Sequence, residues 1–212
     1  FIKRKKMKIQ TEQEKFWINE FGNNYIGRNK RDELYPSKMN LFADIVKNIL
    51  PIKSFIEFGS NMGINLLVLK NLFPNSLFNA VEINSNAVEV LKELKICDKI
   101  WHDSILNFKK KKIADFAFTS GVLIHINPDY LEKAYNVLYE SSTKYILICE
   151  YYNPTPVTIK YRGHENKLFK RDFAGEMLQK YSDLNLLKYG FRYRQDNNFP
   201  LDDITWFLME KK

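Results

Sequence analysis

The stretch from Ser54 to Leu67, SFIEFGSNMGINLL, constrains the fold of this chain more than any other. Its apolar run of Phe55, Ile56 and Phe58 reads as a buried strand that breaks at Gly59, and beyond Gly63 the spacing of Ile64, Leu67 and Val68 turns helical. A strand, a tight turn and the opening of a helix are therefore expected. Gly59 and Gly63 allow φ > 0 and a close backbone approach, and Asn61 between them is the non-glycine type that best tolerates the left-handed region. The N–H groups that open the helix then face whatever lies above the turn.

Such a turn suits a nucleotide-type ligand. Gly-Lys-Ser/Thr is missing, which excludes a P-loop. Gly59-Ser60-Asn61-Met62-Gly63 does not supply the three glycines of the dinucleotide pattern either. Two acids remain: Glu57, two residues before Gly59, and Glu82, which with Ile83 ends the next apolar run, LFNAVEI. A carboxylate at Glu82 can accept both hydroxyls of a ribose, and Glu57 is placed for a cationic amine.

At 212 residues and 45% hydrophobic content the chain can build one domain with a sizeable core. No apolar run approaches the ~20 residues of a membrane span. The start, FIKRKKMKIQ, is basic with no apolar h-region after it, so residues 1–10 are expected to be a disordered end, with Met7 as the natural start, and not a secretory signal. Cys97 and Cys149 share no metal spacing with the three histidines. Buried thiols in a reducing cytoplasm, and no metal, are expected. The net charge of +8 comes largely from the basic start and from Lys109 to Lys112, runs without interleaved aromatic residues. That favours a small anionic partner over nucleic acid.

Along the chain, TEQEKFWINEF reads as a helix with Thr11 as N-cap, Glu14 completing a capping box and Gly22 as its end. Phe16, Trp17 and Phe21 form its apolar face. NNYIGRN then places Tyr25, Arg28 and Asn29 on a loop or short turn, where Arg28 can bind a carboxylate bidentately. A second helix is expected from Pro36 to Ile49. After the glycine turn come a helix to about Leu72, a strand ending at Glu82, a helix to Leu94 and a strand KIWH that delivers Asp103 and Ser104. Asp103 doubles as a natural turn or N-cap carboxylate.

The run IADFAFTSGVLIHI is long enough for a central parallel strand buried on both faces, ending at Ser120 and Gly121. His125 follows on the turn, as a general base or substrate-orienting group on one reading and as a structural or cofactor-shielding ring on the other. After a helix from Pro128 and a strand ending at Glu150, residues 151–175 read as an ordered loop over the strand ends, with Pro154 and Pro156 withholding N–H groups. Tyr151, Tyr152, Asn153, Arg162, His164, Lys167, Lys170 and Arg171 make a polar substrate wall in that reading, and its cations favour an anion. A helix near Asp172 and strands at 186–194 and 204–210 close the chain, with Asn197 and Asn198 on the turn between them.

The pattern of Glu57, Gly59, Gly63 and Glu82 resembles the class I S-adenosylmethionine-dependent methyltransferases, with Asn61 in place of a middle glycine. The resemblance implies an α/β, Rossmann-like sheet of seven strands, mostly parallel, with a C-terminal antiparallel hairpin and helices on both faces. It implies S-adenosylmethionine as cofactor and S-adenosylhomocysteine as product. The cofactor would be held by the turn (Gly59, Ser60, Asn61, Gly63), by the acids Glu57 and Glu82 with Ile83, by Asp103 and Ser104 at the adenine edge, and by Ser120 and Gly121 near the methyl. Arg28 would take the methionyl carboxylate or the carboxylate of an acidic sugar. One domain over residues 11–212, with a helical cap over 11–50, would hold the whole site.

A narrower resemblance, to the methylases associated with pseudaminic acid biosynthesis, rests on TEQEKFWINEFGNNYIGRN, EYYNPTP, YRGHENKLFKRDFAGEML and YGFRYRQDNNFPLDDITWFLMEK. It implies methyl transfer to a nitrogen or oxygen substituent of a pseudaminic or legionaminic acid derivative, with or without cytidine monophosphate, in flagellar glycosylation. Another small anionic metabolite, such as a phosphoramidate or sugar acid, is the alternative acceptor, ahead of RNA or protein. Monomer and homodimer both remain open.

Overall fold

The computed structural model describes residues 7–28, 31–49 and 51–212. Thr11 caps α1 (Glu12–Ile18): its hydroxyl accepts the Glu14 N–H at 3.1 Å while Glu14 Oε2 accepts the Thr11 N–H at 2.8 Å, closing the expected capping box. The chain turns extended at Asn19 and re-enters a helix, α2 (Glu20–Arg28). Gly22 therefore does not end a helix; it sits buried inside α2, where a Cβ would collide with the Trp17 carbonyl. Tyr25 and Arg28, expected on a loop, are helical for the same reason, and Asn29 lies outside the described residues. Of the expected disordered start, residues 1–6 also lie outside them. Lys8 and Gln10, by contrast, are tied down: the Lys8 carbonyl accepts from Asn107 Nδ2 at 2.7 Å and Gln10 Nε2 donates to Asn107 Oδ1 at 2.8 Å.

The next helix, α3 (Arg31–Val46), begins five residues before Pro36, which sits inside it and withholds one N–H from its ladder. It leads through Ile52 to β1 (Ser54–Phe58), followed by α4 (Ile64–Leu72), β2 (Leu77–Glu82), α5 (Ser85–Leu94), β3 (Lys99–His102) and β4 (Ala114–Ser120). Two short 3-10 turns, Leu123–His125 and Pro128–Tyr130, then lead to α6 (Leu131–Ser141) and β5 (Ser142–Glu150). The remaining elements are β6 (Val157–Tyr161), β7 (His164–Lys170), α7 (Phe173–Lys180), β8 (Leu184–Arg192) and β9 (Ile204–Lys211).

Seven strands form one sheet in the order β3-β2-β1-β4-β5-β9-β8, parallel from β3 to β5, with β9 antiparallel to both β5 and β8. Alternate residues feed two cores. On one face Phe55, Phe116, Phe118 and Leu147 pack under α3 and α4; on the other Ile56, Ala117, Ile146 and Met209 pack under α6 and α7. Phe55 stacks on Phe78 at 5.2 Å and meets Phe116 at 5.3 Å, while Phe42 from α3 meets Phe118 at 5.7 Å. Each such ring, removed from water, contributes about 1.5–3 kcal/mol, so packing fixes α3 against the strands. The strand order reverses between β1 and β4, which opens a crevice at their carboxyl ends.

Residues 157–170 are not a loop. They form an antiparallel hairpin, β6–β7, closed by Arg162 and Gly163 with φ of 49° and 88°. Two consecutive positive φ values make the tight hairpin turn whose twist matches the strands. Leu168 and Phe169, neighbours that point to opposite faces, are both buried, and the two prolines precede the hairpin instead of breaking it. Among the described residues no helix is long and apolar enough to cross a membrane, and no cluster of three or more His, Cys, Asp or Glu is arranged to hold a metal.

Candidate active site

A cavity of about 250 Å³ lies in the crevice. Its floor is the turn after β1. Gly59, Asn61 and Gly63 adopt φ of 73°, 46° and 76°, so three left-handed residues alternate with two ordinary ones. The turn's own amides are already engaged: Gly59 N–H donates to the Val81 carbonyl at 2.8 Å, Gly63 N–H to the Ser60 carbonyl at 2.9 Å, and Asn61 N–H to Glu82 Oε2 at 2.7 Å. The glycine at 59 answers to Val122 from the loop after β4, whose side chain a Cβ there would strike, and Gly63 packs against Leu91 of α5, outside the cavity.

Glu82 is buried and accepts at both oxygens, from Asn61 at Oε2 and from Asn84 N–H at Oε1, 2.7 Å each. Burial raises its pKa above the usual carboxylate range. Each oxygen keeps a second lone pair for a ligand hydroxyl. Glu57 lies below the turn, not on the cavity wall. Asn65 Nδ2 donates to its Oε1 at 2.6 Å, while Oε2 has no partner among the described residues. Burial pushes the Glu57 carboxyl up to about 8, with Lys38 the nearby cation that opposes the shift. Asn61 Oδ1 and Asn65 Oδ1 are likewise buried without a donor among the described residues. Three acceptors grouped around one turn fit a ligand that brings N–H donors, which an α-ammonium does.

Asp103 and Ser104 border the cavity as expected, with Asp103 Oδ1 turned onto the Ser104 N–H at 2.8 Å in the turn role that the sequence also allows. Ile83, Ser60, Ser120 and Gly121 border it too, and Ser120 Oγ faces Lys38 Nζ at 3.4 Å. The loop after β4 is held from beneath by Glu150, a residue sequence reasoning passed over. Its Oε1 accepts from Val122 and Leu123 N–H at 3.0 and 3.1 Å and its Oε2 from Ile124 N–H at 3.4 Å; burial lifts its pKa to about 7.

The roof comes from both ends of the chain. His125, buried, lies 4.8 Å from the rings of both Trp17 and Tyr161. Its Nδ1 is 2.6 Å from the Lys167 carbonyl, and since a carbonyl only accepts, Nδ1 carries the proton and Nε2 the lone pair. Burial lowers its pKa to about 4, so the ring is neutral near pH 7. Gln13, Glu14 and Trp17 on α1, Tyr25 on α2, Lys38 on α3, Tyr151 and Asp202 complete the lining.

Several expected site residues are not on the cavity wall. Arg28 is exposed and stacks over Phe21 at 5.1 Å. Tyr152 packs on Phe207 at 5.7 Å, and Asn153 Nδ2 donates to the Thr155 carbonyl at 2.6 Å. Arg162 leans on Tyr161 and Lys170 on Tyr151, behind two lining tyrosines. His164 meets Phe16 at 4.9 Å, Lys167 pairs with Glu12 at 3.6 Å, and Arg171 Nε donates to Glu176 at 2.6 Å. Asn197 and Asn198 stand on an exposed turn that Asp196 caps, while Leu201 and Asp202 just beyond reach the cavity. Lys38 and Gln13 went unnoticed because each is a polar residue in an otherwise ordinary helical pattern. Glu14 did so because its capping role seemed sufficient.

No family model matches the chain, and no curated protein matches it. Among solved structures, 1,6-didemethyltoxoflavin-N1-methyltransferase from Burkholderia thailandensis, with 1,6-didemethyltoxoflavin and S-adenosylhomocysteine bound, is 10% identical with a TM-score of 0.68, over 94% of this chain and 87% of that one. A SAM-dependent methyltransferase from Leishmania major is 14% identical with a TM-score of 0.69, over 95% and 82%. Magnesium protoporphyrin IX methyltransferase from Synechocystis, with SAM bound, is 10% identical with a TM-score of 0.63, over 97% and 100%. The chain has the Rossmann-like, seven-stranded methyltransferase fold, with helices on both faces and a closing antiparallel hairpin.

Proposed function

We propose that the chain is an S-adenosylmethionine-dependent methyltransferase. The observation that carries this reading is the turn after β1, where Glu57 and Glu82 flank three left-handed residues at the switch point of the sheet, above which the cavity opens. Glu82 would take the ribose hydroxyls, Asp103 and Ser104 the adenine edge, and Asn61 and Asn65 the amine, with Glu57 behind them holding Asn65. Bound there, the cofactor supplies a methyl carbon on a sulfonium. What the chain adds is orientation and exclusion of water, worth about 7–11 kcal/mol when reactants are well placed. His125 keeps a lone pair on Nε2, but with its pKa lowered by burial to about 4 it is a weak base and orients and shields more readily than it removes a proton.

The acceptor proposed is a nitrogen or oxygen substituent of a nonulosonic acid, a reading supported by the resemblance of the α1–α2 and hairpin segments. Arg162, against Tyr161 at the hairpin turn, would meet its carboxylate outside the cavity. Calorimetric titration with S-adenosylhomocysteine tests the cofactor reading: saturable binding is expected, weakened in Glu82→Ala. An absence of binding in the unsubstituted protein would falsify it.

A further inference from the structure

Among the described residues the cavity's charged lining consists of four acids, Glu14, Glu82, Asp103 and Asp202, against one lysine, Lys38. Glu82 and Asp103 belong to the cofactor end. The roof end is built otherwise. Gln13 and Glu14 are both nine-tenths buried and both border the cavity. Gln13 Nε2 donates to the Asn166 carbonyl at 2.9 Å, leaving Oε1 without a donor among the described residues. Glu14 Oε2 serves the capping box and accepts the Gln10 N–H at 2.6 Å, and Oε1 is likewise without a donor. Two buried acceptors, one of them on a carboxylate, on successive residues that both border the cavity, are costly to leave unmet.

Trp17 follows one turn along, with Tyr25 at 5.1 Å from it, and Tyr161 and Tyr151 also border the cavity. Aromatic faces attract cations and give nothing to carboxylates. An acidic group placed against Gln13 and Glu14 would meet two unpaired oxygens. The cations that suggested an anion, such as Lys167 and Arg171, are paired with Glu12 and Glu176.

We propose that the roof of the cavity, Gln13 Oε1 and Glu14 Oε1 beside Trp17, is a recognition site for an amine or ammonium group, and that this is the end of the methyl acceptor that enters. The inference deepens the methyltransferase reading and rests on it for the word acceptor; the preference of the site for N–H donors stands on the roof alone. An acidic substrate then binds with its nitrogen inward and its carboxylate outside the cavity, on the side of Arg162.

The test titrates the protein, saturated with S-adenosylhomocysteine, with benzylamine, benzyl alcohol and benzoate, followed by calorimetry. Benzylamine is expected to bind at least about tenfold tighter than the alcohol, with benzoate weakest. Glu14→Gln keeps an oxygen for the capping box and is expected to lose that preference for the amine while leaving the alcohol's affinity unchanged. A merely structural role would move both probes together. Equal or tighter binding of the alcohol or benzoate, no saturable amine binding, or an amine preference intact in Glu14→Gln overturns the proposal. Failure of S-adenosylhomocysteine itself to bind counts against the cofactor reading alone, and the same three titrations on the free protein then decide the roof site.

Discussion

Glu82, at the end of β2, accepts the N–H of Asn61 from the turn after β1 at 2.7 Å. One carboxylate thus shapes the floor and offers its remaining lone pairs to the space above. Hydrogen bonds to a charged group are worth about 1.5–3 kcal/mol each, so Glu82→Ala is expected to weaken S-adenosylhomocysteine binding by tenfold or more. Glu82→Gln, which keeps one acceptor, falls between. Isothermal titration of the three proteins reads the effect, and equal affinities would show that Glu82 has no part in holding the ligand.

Glu57 makes a prediction about pH. Burial lifts its carboxyl to about 8, against an ordinary value of 4.5, so the folded state holds a proton that the unfolded chain releases. Its contribution to stability is complete below the unfolded value and is lost as pH rises through the folded one. Glu150, lifted to about 7, acts in the same direction. Glu57→Gln removes the Glu57 part. Its melting temperature is expected to gain on that of the unsubstituted protein as pH rises from about 5 to 9. Parallel melting curves across that range would exclude the shift.

His125 makes the opposite prediction. Burial lowers its pKa to about 4, and its stabilising contribution is complete above the unfolded value of 6.5 and lost as pH falls toward 4. His125→Ala also removes the bond that joins the loop after β4 to the Lys167 carbonyl and leaves a gap between Trp17 and Tyr161. Near neutral pH it is expected to cost about 2–4 kcal/mol in chemical denaturation. That cost should shrink as the medium is acidified through the interval; a constant cost would mean a ring free to ionise.

Gly59 and Val122 form a separable pair. An alanine at 59 carries both the strain of φ 73° and a collision with the Val122 side chain. Together these are expected to destabilise the fold by about 1–3 kcal/mol. Adding Val122→Ala relieves the collision and leaves the strain, so the double variant should lose less than the sum of the two single changes. A double-mutant cycle measures this, and simple additivity would show that the two side chains do not meet.

The central strands of the sheet were legible because buried parallel strands are nearly continuous apolar runs, as in β1 and β4, and KIWH, at the sheet edge, is nevertheless β3 to the residue. The hairpin β6–β7 was not. Its buried residues Leu168 and Phe169 are adjacent instead of alternating, the rest of β7 is polar or charged, and its turn is Arg162-Gly163 where Asn-Gly would have announced one. The helix α2 was hidden by Gly22, which reads as a stop and in fact allows Trp17 a close approach. The floor of the site was legible through glycine spacing, whereas the roof depends on which side chains meet across long separations, and local pattern does not encode that.

Gln13 and Asn166 are joined across 153 positions of chain. A contact of such span forms only once almost the entire polypeptide has found its place, so the sheet and its glycine bend mature first and the covering is assembled last. That covering is fastened by contacts such as Asn84 Nδ2 to the Trp17 carbonyl at 2.9 Å and Lys167 to Glu12 at 3.6 Å, so admitting a solute from above means breaking these while the strands beneath stay paired.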